Sequence, residues 1–92
     1  MYMTPIKGTI EIMGQKVDII IDDERCAAFE ADGLTSGTTI YLKSEYEDIK
    51  HYLVTYRHEC FHVLCEILGA QFDIHTEEIL AHRVSHMFTY EV

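Results

Sequence analysis

The chain has 92 residues, 7 of them basic and 16 acidic, for a formal charge of −9, and 48% are apolar. One compact domain spanning 1–92 is therefore expected, and like-charge repulsion argues against nucleic-acid phosphate or an anionic membrane as its main partner. The odd count of cysteines (Cys26, Cys60, Cys65) points to free thiols rather than a disulfide framework, and with no charged region leading into a long apolar run at the start of the chain, the expected location is cytoplasmic.

The first half of the chain has a period of two. Ile6, Thr9, Ile10, Glu11 and Ile12 predict a strand, Met13-Gly14 a turn, and Val17 to Ile21 a partner strand, which together make a hairpin. Asp22-Asp23-Glu24-Arg25 interrupts with charge. Ala27 to Ala31 is expected as a third short strand and Thr38 to Leu42 as a fourth, with Gly33 and Ser36-Gly37 marking the turn between them.

From Tyr46 to Leu68 the period becomes helical. The segment contains no Pro or Gly, and Ile49, Leu53, Tyr56, Cys60, Val63, Leu64 and Ile67 recur at three- and four-residue steps until Gly69 stops the helix. His51, Thr55, His58, His62 and Glu66 form a polar stripe beside the apolar one. Cys60 falls on the apolar stripe as a small core residue. Cys65 lies nearer the ligand face, where packing is the simpler role, although a thiol there could join a metal site.

Within this helix, His58-Glu59-Cys60-Phe61-His62 reads His-Glu-x-x-His. Residues four apart share a helix face, so His58 and His62 can aim their imidazoles at one Zn²⁺. Glu59 sits one position round and can accept the proton of a water that the metal activates, without being a ligand itself.

A catalytic zinc takes a third protein ligand and keeps a fourth position open. Thr76-Glu77-Glu78 supplies two candidates at the start of a second helix predicted over Ile79 to Phe88, with Thr76 as its cap. The loop from Ala70 to His75 would fold this helix back across the first. Both acids also suit an ordinary helix start. Glu77 projects with Leu80, Ala81, Val84 and Phe88 near the middle of the apolar face, and Glu78 with Ala81, His82 and Ser85 on its flank, so either could be the ligand.

Four pieces of the chain resemble the small zincin metallopeptidase domains of bacterial and phage genomes, distant relatives of the repressor-cleaving ImmA/IrrE type. They are Thr38-Thr39-Ile40-Tyr41-Leu42, similar to the strand ahead of the active-site helix; Thr55-Tyr56-Arg57-His58-Glu59; His58 to His62 itself; and Glu78-Ile79-Leu80-Ala81-His82, which resembles the Glu-x-x-Ala carrying the third ligand. The resemblance implies His58, His62 and Glu78 as zinc ligands and Glu59 as the catalytic acid/base. For the donor to the transition-state oxyanion it leaves His82 as the nominee, with Tyr90 behind it.

The implied fold is α+β, a small, mostly antiparallel sheet packed on two helices with the His-Glu-x-x-His helix against it. The implied reaction is hydrolysis of a peptide bond in a peptide or protein substrate, laid along an edge strand formed by Ala27 to Ala31 or Thr38 to Leu42. Two further roles fit the same residues. The small size suits a non-enzymatic, phage-type protein that keeps the metal and occupies a host partner, and a small immunity or stress regulator would use the same peptidase chemistry on a repressor.

Overall fold

The computed structural model describes residues 7–69 and 71–86. Strands β1 (Gly8–Ile12) and β2 (Gln15–Ile21) form an antiparallel hairpin with Ile12 opposite Gln15. Its two turn residues, Met13 at φ 50° and Gly14 at φ 78°, are both left-handed, the conformation that matches a two-residue turn to the twist of its strands. Ile6, expected in the first strand, lies outside the described residues.

The strand expected over Ala27 to Ala31 is instead the end of a short helix, α1 (Asp23–Ala28), and the turn that follows it. The charge run explains the difference. The Asp22 side chain accepts a hydrogen bond from the Arg25 backbone N–H at 2.9 Å, and Asp23 and Glu24 occupy the first turn, where acids favour the positive end of the helix dipole. What looked like an interruption is a helix start. The helix buries Cys26 completely and ends before Glu30, which has a left-handed φ of 50°.

After α1 the chain forms a second antiparallel pair, β3 (Gly33–Ser36) and β4 (Thr39–Leu42). The strand order is β1-β2-β4-β3, and β4 runs parallel to β2 with Ile19 beside Ile40. Residues 22–38 separate β2 from β4, enough chain for the crossover that a parallel pairing needs. The architecture is α+β, as expected, but the sheet is mixed, with one parallel pairing between two antiparallel ones, and the described residues contain three helices rather than two. β4 is an interior strand, so the edge expected at Thr38 to Leu42 falls to β3.

Alternate residues of β2 and β4 (Val17, Ile19, Ile40, Leu42) form the core with Tyr46 and Val63. The buried Tyr46 hydroxyl donates to the Asp32 carbonyl at 2.6 Å and accepts from the Lys43 N–H at 3.1 Å, which removes the cost of an unpaired buried phenol. Burial raises its pKa above the ordinary tyrosine value.

The long helix α2 (Ile49–Leu68) starts three residues later than Tyr46, because Asp48 caps it by accepting from the His51 N–H at 2.8 Å. Gly69, left-handed at φ 63°, ends it as expected. α3 (Ile74–Ser85) begins earlier than predicted and is capped by Asp73, which accepts from both the N–H (2.8 Å) and the hydroxyl (2.9 Å) of Thr76. Thr76 is therefore inside the helix rather than its cap. Phe88, the predicted helix end, lies outside the described residues. α2 packs on β3 and β4, and α3 packs on α2. Among the described residues no helix is long and apolar enough to cross a membrane.

Candidate metal centre

His58 and His62 lie one turn apart on α2, half-buried, with ring centroids 4.9 Å apart. α3 crosses this face and brings Glu78 onto both rings. One carboxylate oxygen of Glu78 lies 3.2 Å from His58 Nε2 and the other lies 3.0 Å from His62 Nε2. A ligand atom from each of the three residues falls within 4.8 Å of the other two.

These residues fit a zinc ion. Two ligands each about 2.0–2.1 Å from one tetrahedral ion stand roughly 3.3 Å apart, close to both His–Glu separations. Two imidazoles and one carboxylate are a donor set of the catalytic kind, with one position left open. As the contacts stand, the one between His58 and Glu78 is also an ordinary histidine–carboxylate hydrogen bond.

Glu77 occupies a different place. Its Oε2 lies 2.5 Å from His62 Nδ1, on the opposite side of the ring from Glu78. An Nδ1–H donated to a carboxylate fixes the tautomer whose Nε2 lone pair is free for a metal. The helix accounts for the division: the Glu77 side chain is 24% exposed and turned toward α2, whereas Glu78, one residue round, is 53% exposed on the cleft side. Cys65, a conceivable extra ligand, is buried and lies outside the group of three. Burial, followed by the nearby charge of Glu77, raises its thiol pKa above the ordinary value. Cys60 packs against the core, and burial pushes its thiol up to about 11.

Glu59 is only 6% exposed. The Thr35 hydroxyl on β3 lies 2.8 Å from Glu59 Oε1 and 3.2 Å from the Glu59 backbone carbonyl, and donates to this pair of acceptors. Burial raises the carboxyl pKa above the usual carboxylate range, against the opposing pull of the Thr35 hydrogen bond and of His58 and His62. Thr35 did not stand out in the sequence. The available signal was a hydrogen-bonding residue two after a glycine, in a segment that read as a turn.

The three elements enclose a cleft of about 640 Å³ floored by β3 and walled by α2 and α3. His51, Thr55 and Glu66 line it with the two histidines of the motif, so the polar stripe of the helix faces the cavity. His82 is on the α3 wall, exposed, with its ring 4.6 Å from that of His86. It is near the three-residue group without belonging to it, and Tyr90 lies outside the described residues. At the far end His51 pairs with Asp32 at 3.0 Å, and Asp32 also binds Lys43 at 2.9 Å. Among the described residues, no Lys or Arg lines the cleft.

Compared with known proteins, the chain matches no family model, no curated protein and no solved structure.

Proposed function

We propose that this protein is a small zinc-dependent peptidase of the zincin type. The observation that carries the reading is the convergence of His58, His62 and Glu78 within 4.8 Å, with the buried Glu59 next to His58 on the same helix. Zinc held by these three residues would supply a Lewis acid for the scissile carbonyl and lower the pKa of a water toward ~7.

The remaining roles belong to the chain. Glu59 takes the proton of the attacking water and passes it to the leaving amine. Its Oε1 is occupied by the Thr35 hydroxyl, which leaves Oε2 to carry the proton. Glu77 accepts the His62 Nδ1–H, which keeps the ring in place and leaves its Nε2 lone pair for the metal. His82, on the cleft wall, is the nearby donor for the oxyanion that develops on the carbonyl. β3, an edge strand along the cleft, offers unpaired backbone groups to an extended peptide, which would bind as an added strand.

Metal analysis of protein purified without added metal, together with cleavage of fluorescein-labelled casein, tests the reading. About one zinc per chain is expected in the wild type, none in His62→Ala or Glu78→Ala, and chelator-sensitive release of fluorescent peptides. Absence of zinc even after its addition would refute the proposal. Zinc without cleavage would leave a metal-dependent interaction protein.

A further inference from the structure

The position of Glu59 matters once a metal is bound, and this inference rests on the zinc reading above. A carboxylate one residue from a histidine ligand is itself a good zinc ligand. If Glu59 swung onto the metal it would fill the open position and leave no base. We propose that Gly33 and Thr35 of β3 are positioning residues that hold the Glu59 carboxylate out of the ligand set.

Gly33 and Thr35 are two apart on one strand, so they point to the same face of the sheet, the face that meets α2. Thr35 donates its hydroxyl to Glu59 Oε1 at 2.8 Å, fixing one carboxylate oxygen on the strand side. Gly33 provides the space. A Cβ at that position would stand 3.2 Å from Glu59 Cγ, 3.4 Å from Oε2 and 2.9 Å from Thr55 Cγ2. The contact with Thr55 Cγ2 is closer than real carbon contacts come and the one with Glu59 Cγ is tighter than most, so the buried Thr55 and Glu59 side chains would both have to shift. Gly33 does not have the left-handed φ of the four other glycines, so the need for glycine here is steric. The strand thus supplies a gap that admits the carboxylate and a donor that fixes it there.

The test uses the Co²⁺-substituted full chain, whose visible absorption reports the ligands and geometry of the ion. Wild type and Thr35→Ser, which keeps the hydroxyl, are expected to give the same spectrum. Thr35→Val, which keeps the shape without the donor, is expected to shift the band as Glu59 joins the ion. Gly33→Ala is expected to change it by displacing the same side chain. Adding Glu59→Gln to Thr35→Val should restore the spectrum of the Glu59→Gln single variant, which assigns the shift to this carboxylate. Far-UV circular dichroism checks the fold of each variant, and Thr35→Ala replaces Thr35→Val should the latter not fold. A cobalt-loaded Thr35→Val protein with the wild-type spectrum, or a shift that survives removal of the Glu59 carboxylate, overturns the inference alone. A wild type that takes up neither Co²⁺ nor Zn²⁺ overturns the peptidase reading and this inference with it.

Discussion

Glu77 Oε2 lies 2.5 Å from Nδ1 of His62, while Glu78 meets Nε2 of the same ring at 3.0 Å. Two adjacent acids of one helix therefore grip opposite sides of one imidazole. They can do so because the ring stands between the two helices, with Glu77 turned inward and Glu78 turned toward the cleft.

This division gives the two glutamates different expected effects on metal binding. If zinc binds as proposed, Glu78→Ala removes a ligand and should abolish stoichiometric zinc. Glu77→Ala should keep the site but weaken it by about 10–100-fold, the usual cost of losing an outer partner of a metal-bound histidine. Competition against a chromophoric chelator measures both, and equal losses would show that the two acids do not have separate roles.

Glu59→Gln is expected to retain zinc at wild-type stoichiometry while casein cleavage falls by about 10²–10⁴-fold, the range for loss of a general acid/base. The substitution keeps the volume of a buried side chain that Thr35 contacts, so the fold should survive. Undiminished cleavage by this variant would remove Glu59 from the mechanism.

On the proposed zinc reading the metal should also stabilise the fold, because His58, His62 and Glu78 come from two helices that meet only in the native chain. At free metal about 100 times the dissociation constant the gain is about 2.7 kcal/mol, which in a domain of this size raises Tm by roughly 10–20 °C. Thermal melts with and without EDTA read this directly. His62→Ala should melt at the same temperature in both conditions.

The far end of the cleft has its own pH dependence. The hydrogen bond from Lys43, and then that from His51, holds the Asp32 carboxyl below the usual carboxylate range. A depressed pKa contributes stability that is fully present above the unfolded value of about 3.9 and is lost as pH falls through the folded value. Asp32 is about half exposed, at 51%, so the contribution should be under about 1 kcal/mol. Melting wild type and Asp32→Asn from about pH 6 down to about pH 2 should show a difference in Tm that closes toward the acid end. A difference that stays constant through that range would separate Asp32 from acid stability.

The parts of the fold written in local pattern were legible in the sequence: the β1–β2 hairpin, the body of α2 and its end at Gly69. α1 was missed because Asp22 to Arg25 read as charge rather than as a cap and a first turn. The start of α3 was misplaced because Asp73 competes with Thr76 for the capping position and offers two acceptors to the N–H and hydroxyl of Thr76. Strand order was beyond local reading, since the parallel register of β2 and β4 is set by packing across the crossover. His58, Glu59 and His62 were visible as a motif, and the two candidate acids as a helix start. Their separate placements depend on how α3 crosses α2, and Thr35 became apparent only once β3 was seen against Glu59.

β3 is four residues long, and its pleat divides it in two. Gly33 and Thr35 face the helix, the first leaving room beside Glu59 and the second hydrogen-bonding it, whereas Leu34 and Ser36 alternate to the other side. Substitutions at Leu34 and Ser36 can therefore alter the other side of the strand while the surroundings of the Glu59 carboxylate stay as they are. Substitutions at the interleaved positions change those surroundings. Neighbouring residues of a single strand would thus tolerate change to very different degrees.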